Sequence, residues 1–117
     1  MPLIEIRRNG DRVHGGAIYD ICEVLPAVAA KALSCEEGGP LKPTEIMIEV
    51  NEMRALDCNN KDIHIRVYAH DYTARRERLD TIRKTIAASV VPLLPEGATW
   101  YVWVLLSPTS YGSDTDD

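Results

Sequence analysis

Residues 1–8 read MPLIEIRR, and their alternation sets the frame for the whole chain. Ile4 and Ile6 fall on one side of an extended strand, and Leu3, Glu5 and Arg7 on the other. Pro2 opens the run, a place where proline supplies no ladder donor and little packing. It has two readings. Proline is tolerated as the first residue of a strand; alternatively, removal of Met1 makes Pro2 the N-terminus, with a free secondary amine. The same period of two returns at 45–50 (EIMIEV), at 62–70 (DIHIRVYAH) and at 99–106 (TWYVWVLL).

Between these strands the period changes to that of a helix. From about Gly16 to Leu33, Ile18, Ile21, Cys22, Leu25, Val28, Ala29 and Ala32 form one apolar stripe. Pro26 lies within it and predicts a kink or an early break. A second helix is expected with Thr73 as N-cap, an apolar stripe through Leu79, Ile82, Ile86, Val90 and Leu94, and Pro92 and Pro95 near its end. The glycines and prolines of EEGGPLKP (36–43) mark a loop.

The order is strand, helix, strand, twice over, and IEIR at 4–7 echoes IHIR at 63–66. Two βαβ units bury their helices on one face of a shared four-stranded sheet. This predicts a single α+β domain over 1–107, a duplicated βαββαβ with a mixed sheet and two helices on one face. A flexible acidic tail follows over 108–117. Matching parity assigns Ile4/Ile6, Ile46/Ile48/Val50, Ile63/Ile65/Val67 and Trp100/Val102/Val104 to the helix side. The other side then carries Glu5, Arg7, Glu49, His64, Arg66 and Tyr68 with Leu3, Met47, Tyr101 and Leu105. That face is too polar for a dry core and rather apolar for open water, so it reads either as a solvated face or as one that meets copies of itself.

At 117 residues, 45% hydrophobic and 26% charged, the chain has the composition of an ordinary globular domain. Its net charge of -5 disfavours a broad electrostatic grip on nucleic acid or an anionic membrane. No segment approaches the ~18 apolar residues of a membrane span. The start lacks a signal-peptide layout, and the expectation is a cytoplasmic protein. Cys22, Cys35 and Cys58 are odd in number and widely spaced, indicating neither a disulfide framework nor a zinc site. Cys22 reads as core packing.

A Met-Pro start, Pro2 opening a strand and a duplicated βαβ unit together resemble the tautomerase superfamily. The length resembles its subgroup of two fused units, the macrophage migration inhibitory factor and 5-carboxymethyl-2-hydroxymuconate isomerase types. Lys42-Pro43 in GPLKPTEIMIEV (39–50) stands where that factor carries its active-site lysine, and Tyr101 in WYV (100–102) where it has a pocket tyrosine. There are departures. Trp103 replaces an asparagine, the thiol-redox CxxC is absent, and without any Phe the pocket wall falls to Trp100 or Trp103. Arg12 matches only approximately an arginine at the start of the first helix.

The resemblance implies a cofactor-independent, metal-free tautomerase or isomerase, a homotrimer with sites between subunits. Its substrate would be a small carboxylated enol or keto acid, with Pro2 as general base and Lys42 and Tyr101 as catalytic partners. A terminal amine titrates near ~8, and burial beside a cation lowers that value toward the range a general base needs. The cation would also steady an enolate oxygen, to which Tyr101 could donate. Arg7, Arg12 and Arg54 are candidate carboxylate clamps, each equally readable as a surface or ion-pair arginine. His14, His64 and His70 lack metal-ligand spacing, and RRERLDTIRK (75–84) reads as a solvated helix face. While Met1 remains attached, Pro2 is an amide nitrogen and no base. The competing readings are a non-catalytic member of the same fold and a monomeric ferredoxin-like binding module of the same element order.

Overall fold

A computed structural model describes residues 1–110 and 112–114. The four alternating runs become β1 (Leu3–Arg8), β2 (Met47–Glu52), β3 (Ile63–His70) and β4 (Trp100–Ser107), joined in the order β2-β1-β3-β4. β1 runs parallel to β2 and antiparallel to β3, and β3 runs parallel to β4. Each βαβ unit therefore contributes one parallel pair, and the two units join along β1 and β3.

The register fulfils the expected parity. Ile4 lies opposite Ile48 and Val67, Ile6 opposite Val50 and Ile65, and Ile65 opposite Val102. Against this face packs α1 (Gly15–Leu33), through Ile18, Ile21, Leu25, Ala29 and Leu33. α3 (Leu79–Val90) adds Ile82, Ile86 and Val90. Each fully buried isoleucine here is worth about 2 kcal/mol by its area alone. Cys22 packs against this core, and burial pushes its thiol pKa up.

Pro26 does not end α1, which runs unbroken to Leu33. An interior proline costs ~3 kcal/mol. Leu25 before it and Ala29, Ala30 and Leu33 after it are all buried, and that packing on both sides offsets the loss. The second helix, expected as one piece, is two: α2 (Thr73–Glu77) and α3, separated at Arg78 with φ -113° and ψ 21°. Arg78 sends its Nη2 to the carbonyl of Ala32 at 2.8 Å. Thr73 is the first helical residue rather than the cap, which falls on Tyr72 without a side-chain bond. The carboxylate of Glu37 instead accepts the Ala74 N–H at 3.4 Å.

The opposite sheet face presents three rows. Met47, Leu3, Tyr68 and Leu105 form the first, Glu49, Glu5, Arg66 and Trp103 the second, and Asn51, Arg7, His64 and Tyr101 the third. Arg66 and Glu5 pair at 3.1 Å. Of the expected tail, residues 111 and 115–117 lie outside the described residues; Thr109 N–H donates to Nδ1 of His70 at 3.0 Å. Among the described residues no helix is long and apolar enough to cross a membrane.

Candidate functional site

Pro2 is buried at the head of β1, where its carbonyl accepts the Met47 N–H at 3.0 Å. It forms part of the wall of a cavity of about 310 Å³ shared with Glu45, His70, Tyr72 and Arg75. Three elements meet there. β1 brings Pro2, the end of β3 brings His70, and the first turn of α2 brings Arg75. The loop before β2 closes the remaining side with Gly38, Leu41 and Glu45. That loop folds into a short 3₁₀ turn, Pro43–Glu45, because Pro43 presets its first residue and Glu45 Oε1 accepts the Lys42 N–H at 2.9 Å.

Arg75 is the unexpected member. It is 3% exposed, yet among the described residues it has no carboxylate partner. Its Nε donates to the Leu33 carbonyl at 2.9 Å and its Nη1 to that of His70 at 3.1 Å. The Tyr72 ring lies 4.9 Å from its Cζ, and the same ring meets His70 edge-on at 4.6 Å. Two carbonyls and a π-face satisfy part of the guanidinium and leave a full positive charge beside Pro2. The sequence carried a signal for this. Arg75 is in phase with Leu79, Ile82 and Ile86 at spacings of four, three and four, so the core-facing stripe begins on a cation. The acids interleaved through 75–84 hide it, because they make the stretch read as a solvated helix face.

The expected partners are placed differently. Lys42 is exposed and adds no side chain to the wall, although its neighbours Leu41 and Glu45 do. Tyr101 lies in the row of Arg7 and His64, five strand residues from Pro2, or about 16 Å. There its ring meets His64 at 5.2 Å and Trp103 at 6.0 Å, with Lys61 Nζ 5.4 Å from its centroid. Arg7 pairs with Asp57 at 3.6 Å and keeps a buried Nε without a partner; Arg12 pairs with Asp62 at 3.6 Å. Arg54 borders a polar cavity of about 570 Å³ with Asp57, Lys61 and Asp62, at the end of the sheet away from Pro2. Trp100 is on the helix side of β4 and Trp103 on the other. Within one chain, then, Pro2 lies at one end of the sheet and Tyr101, Arg7, Arg12, Arg54 and Trp100 toward the other, with Trp103 in the middle row.

His64, at the far end, accepts the Lys61 N–H on Nε2 at 3.1 Å. Burial depresses its pKa, and the charges of Arg66 and Arg7 depress it further.

No family model matches this sequence, and no curated protein matches it. Solved structures do. A macrophage migration inhibitory factor-like protein from Entamoeba histolytica superposes with a TM-score of 0.65 at 12% identity, over 98% of this chain and 96% of its own. FG41 malonate semialdehyde decarboxylase inhibited by 3-bromopropiolate gives 0.57 at 14%, over 97% and 91%. A wild-type fused 4-OT described as an asymmetric trimer gives 0.60 at 16%, over 96% and 92%. The chain thus has the tautomerase fold of the migration-inhibitory-factor type, two fused βαβ units, over nearly its whole length.

Proposed function

We propose that this chain, once Met1 is removed, is a tautomerase that moves a proton between carbon and oxygen or between carbons of a small carboxylated enol or keto acid. The observation that carries the reading is the placement of Pro2, buried in a cavity wall beside the unpaired cation Arg75. A free proline amine there is a rigid base whose lone pair has one direction. Burial and the Arg75 charge disfavour its protonated form. Glu45 pulls the other way, but it already accepts the Lys42 N–H, so less of its charge is left for the amine. Arg75 holds the substrate carboxylate through the nitrogen its two carbonyls leave free, and it steadies charge that develops on the enolate. Lys42, exposed at the rim, is a second cation for that carboxylate.

A homotrimer belongs to this reading. It is supported by the aromatic and apolar residues left on the outer sheet face and by the trimeric fused 4-OT of the same fold. A neighbouring copy would bring Tyr101 and Trp103 toward the cavity.

The test is an enol-ketonisation assay on protein whose N-terminus has been read by mass spectrometry. Free Pro2 should give kcat/KM that rises with pH through an acid-side limb whose midpoint lies below the pKa of free proline. Pro2→Ala should reduce kcat/KM at least ~100-fold with the fold intact. Native protein that keeps Met1 and shows no ketonisation would leave the non-catalytic reading in its place.

A further inference from the structure

A second cavity of about 410 Å³ adjoins the first, and Met1, His70 and Tyr72 line both. Its other walls are Leu3, Tyr68, Ala69, Ser107 and Thr109. Met1 stands at the junction with His70 and Tyr72, so its removal widens the passage between the two and frees the Pro2 nitrogen on the Arg75 side of it. The two ends differ in charge. The Pro2 end holds Arg75 and Glu45, whereas no permanently charged residue lines the Tyr68 end among the described residues. That end is apolar at Leu3 and Ala69. Its polar groups are the hydroxyls of Tyr68, Ser107 and Thr109 and the His70 ring. The Thr109 hydroxyl donates to the Ser107 carbonyl and its N–H to His70 Nδ1, while the Tyr68 and Ser107 hydroxyls have no hydrogen bond among the described residues.

We propose that the cleft selects a monoanionic substrate, its carboxylate at Arg75 and a neutral, partly apolar second end against Tyr68, with Tyr68 and Ser107 as the specificity-determining residues. The reason is desolvation. A second carboxylate in the Tyr68 end would lose water and meet no fixed positive charge, only hydroxyls and one imidazole N–H, while Glu45 repels it from the other end. A methyl or carbonyl group there loses little and packs on Leu3. Leu3 and Tyr68 also begin the outer sheet face, so a neighbouring copy would close this end further and make it drier. The inference rests on the Pro2 cleft being the substrate site.

Two unreactive six-carbon dienoates that differ only at the far end test it: sorbate, with a methyl, and trans,trans-muconate, with a second carboxylate. Calorimetric titration of Met1-free protein at fixed ionic strength should give a sorbate Kd at least tenfold below that of muconate. Protein that retains Met1 should bind sorbate at least tenfold more weakly. Tyr68→Arg should reverse the preference, and Ser107→Lys serves the same purpose if the first variant does not fold. Equal or tighter muconate binding by the unsubstituted protein, no binding of either acid, or indifference to Met1 overturns the proposal. Ketonisation is measured alongside. A sorbate preference without turnover sinks the catalytic reading and leaves this one, and turnover with a diacid preference does the reverse.

Discussion

His64 is held neutral between two arginines on a sheet face, and that arrangement makes the fold sensitive to acid. Its pKa is depressed by burial first, then by Arg66 and Arg7. The unfolded chain therefore binds a proton that the folded chain resists, and stability falls as pH drops below the ordinary histidine value of ~6.5. The loss continues down to the depressed folded pKa and then stops. Urea denaturation at a series of pH values should show a steeper decline below ~6.5 for the natural sequence than for His64→Gln. Parallel declines would remove His64 as the cause. Arg75 is a different case, a buried guanidinium whose rigid fork of donors is held by two carbonyls, which suits it to a fixed anchoring role.

The loop over 35–41 fits the Pro2 cavity through one glycine. A Cβ on Gly38 would come within 2.6 Å of Tyr72 Cε2, 3.1 Å of its Cδ2 and 3.3 Å of Cys35 Sγ. Tyr72 cannot swing aside freely, because its ring is seated on Arg75 and against His70. Gly38 N–H also donates to Cys35 Sγ at 3.4 Å, which holds the turn against the ring. Gly38→Ala is expected to destabilise the protein by about 1–3 kcal/mol and to raise KM, because the displaced ring crosses the junction of the two chambers. In a double-mutant cycle with Tyr72→Ala, the pair should cost less than the sum of the singles. Additive costs would show that the ring is not what the methyl strikes. The split at Arg78 belongs to the same scale: Arg75 within α2 and Arg78 at its junction with α3 both send guanidiniums to carbonyls at the end of α1.

For the whole molecule, the outer sheet face decides whether one chain is enough. Trp103 is 50% exposed and Met47 44%, with Tyr68, Tyr101 and Leu105 close behind, all on that one surface. Among the described residues β2 and β4 also leave both edges of the sheet unpaired. So much contiguous apolar area is unusual for a monomer. Light scattering after size-exclusion chromatography should give the mass of three chains, and Trp103→Glu should lower it to that of one. A single-chain mass for the natural sequence would sink the trimer and leave Tyr101 without a route to Pro2.

The primary structure by itself determined the element order, the parity of every strand and the α+β duplication. Alternation at 2–8, 45–50, 62–70 and 99–106 and the stripe from Ile18 to Ala32 are local patterns that burial on one side must satisfy. It also singled out Pro2, since a proline that opens a strand is noticeable without any partner. Only the tertiary structure decided what stands beside Pro2. Arg75 is 73 positions away in the chain and reaches it by the turn from β3 into α2, while Lys42, close to the cavity in sequence, points its charge to solvent. Such a juxtaposition depends on how β1, β3 and α2 pack together, a long-range geometry that no period of two or of 3.6 encodes. The continuity of α1 through Pro26 was hidden for the same reason: the packing that offsets the lost hydrogen bond comes from the sheet, far away in sequence.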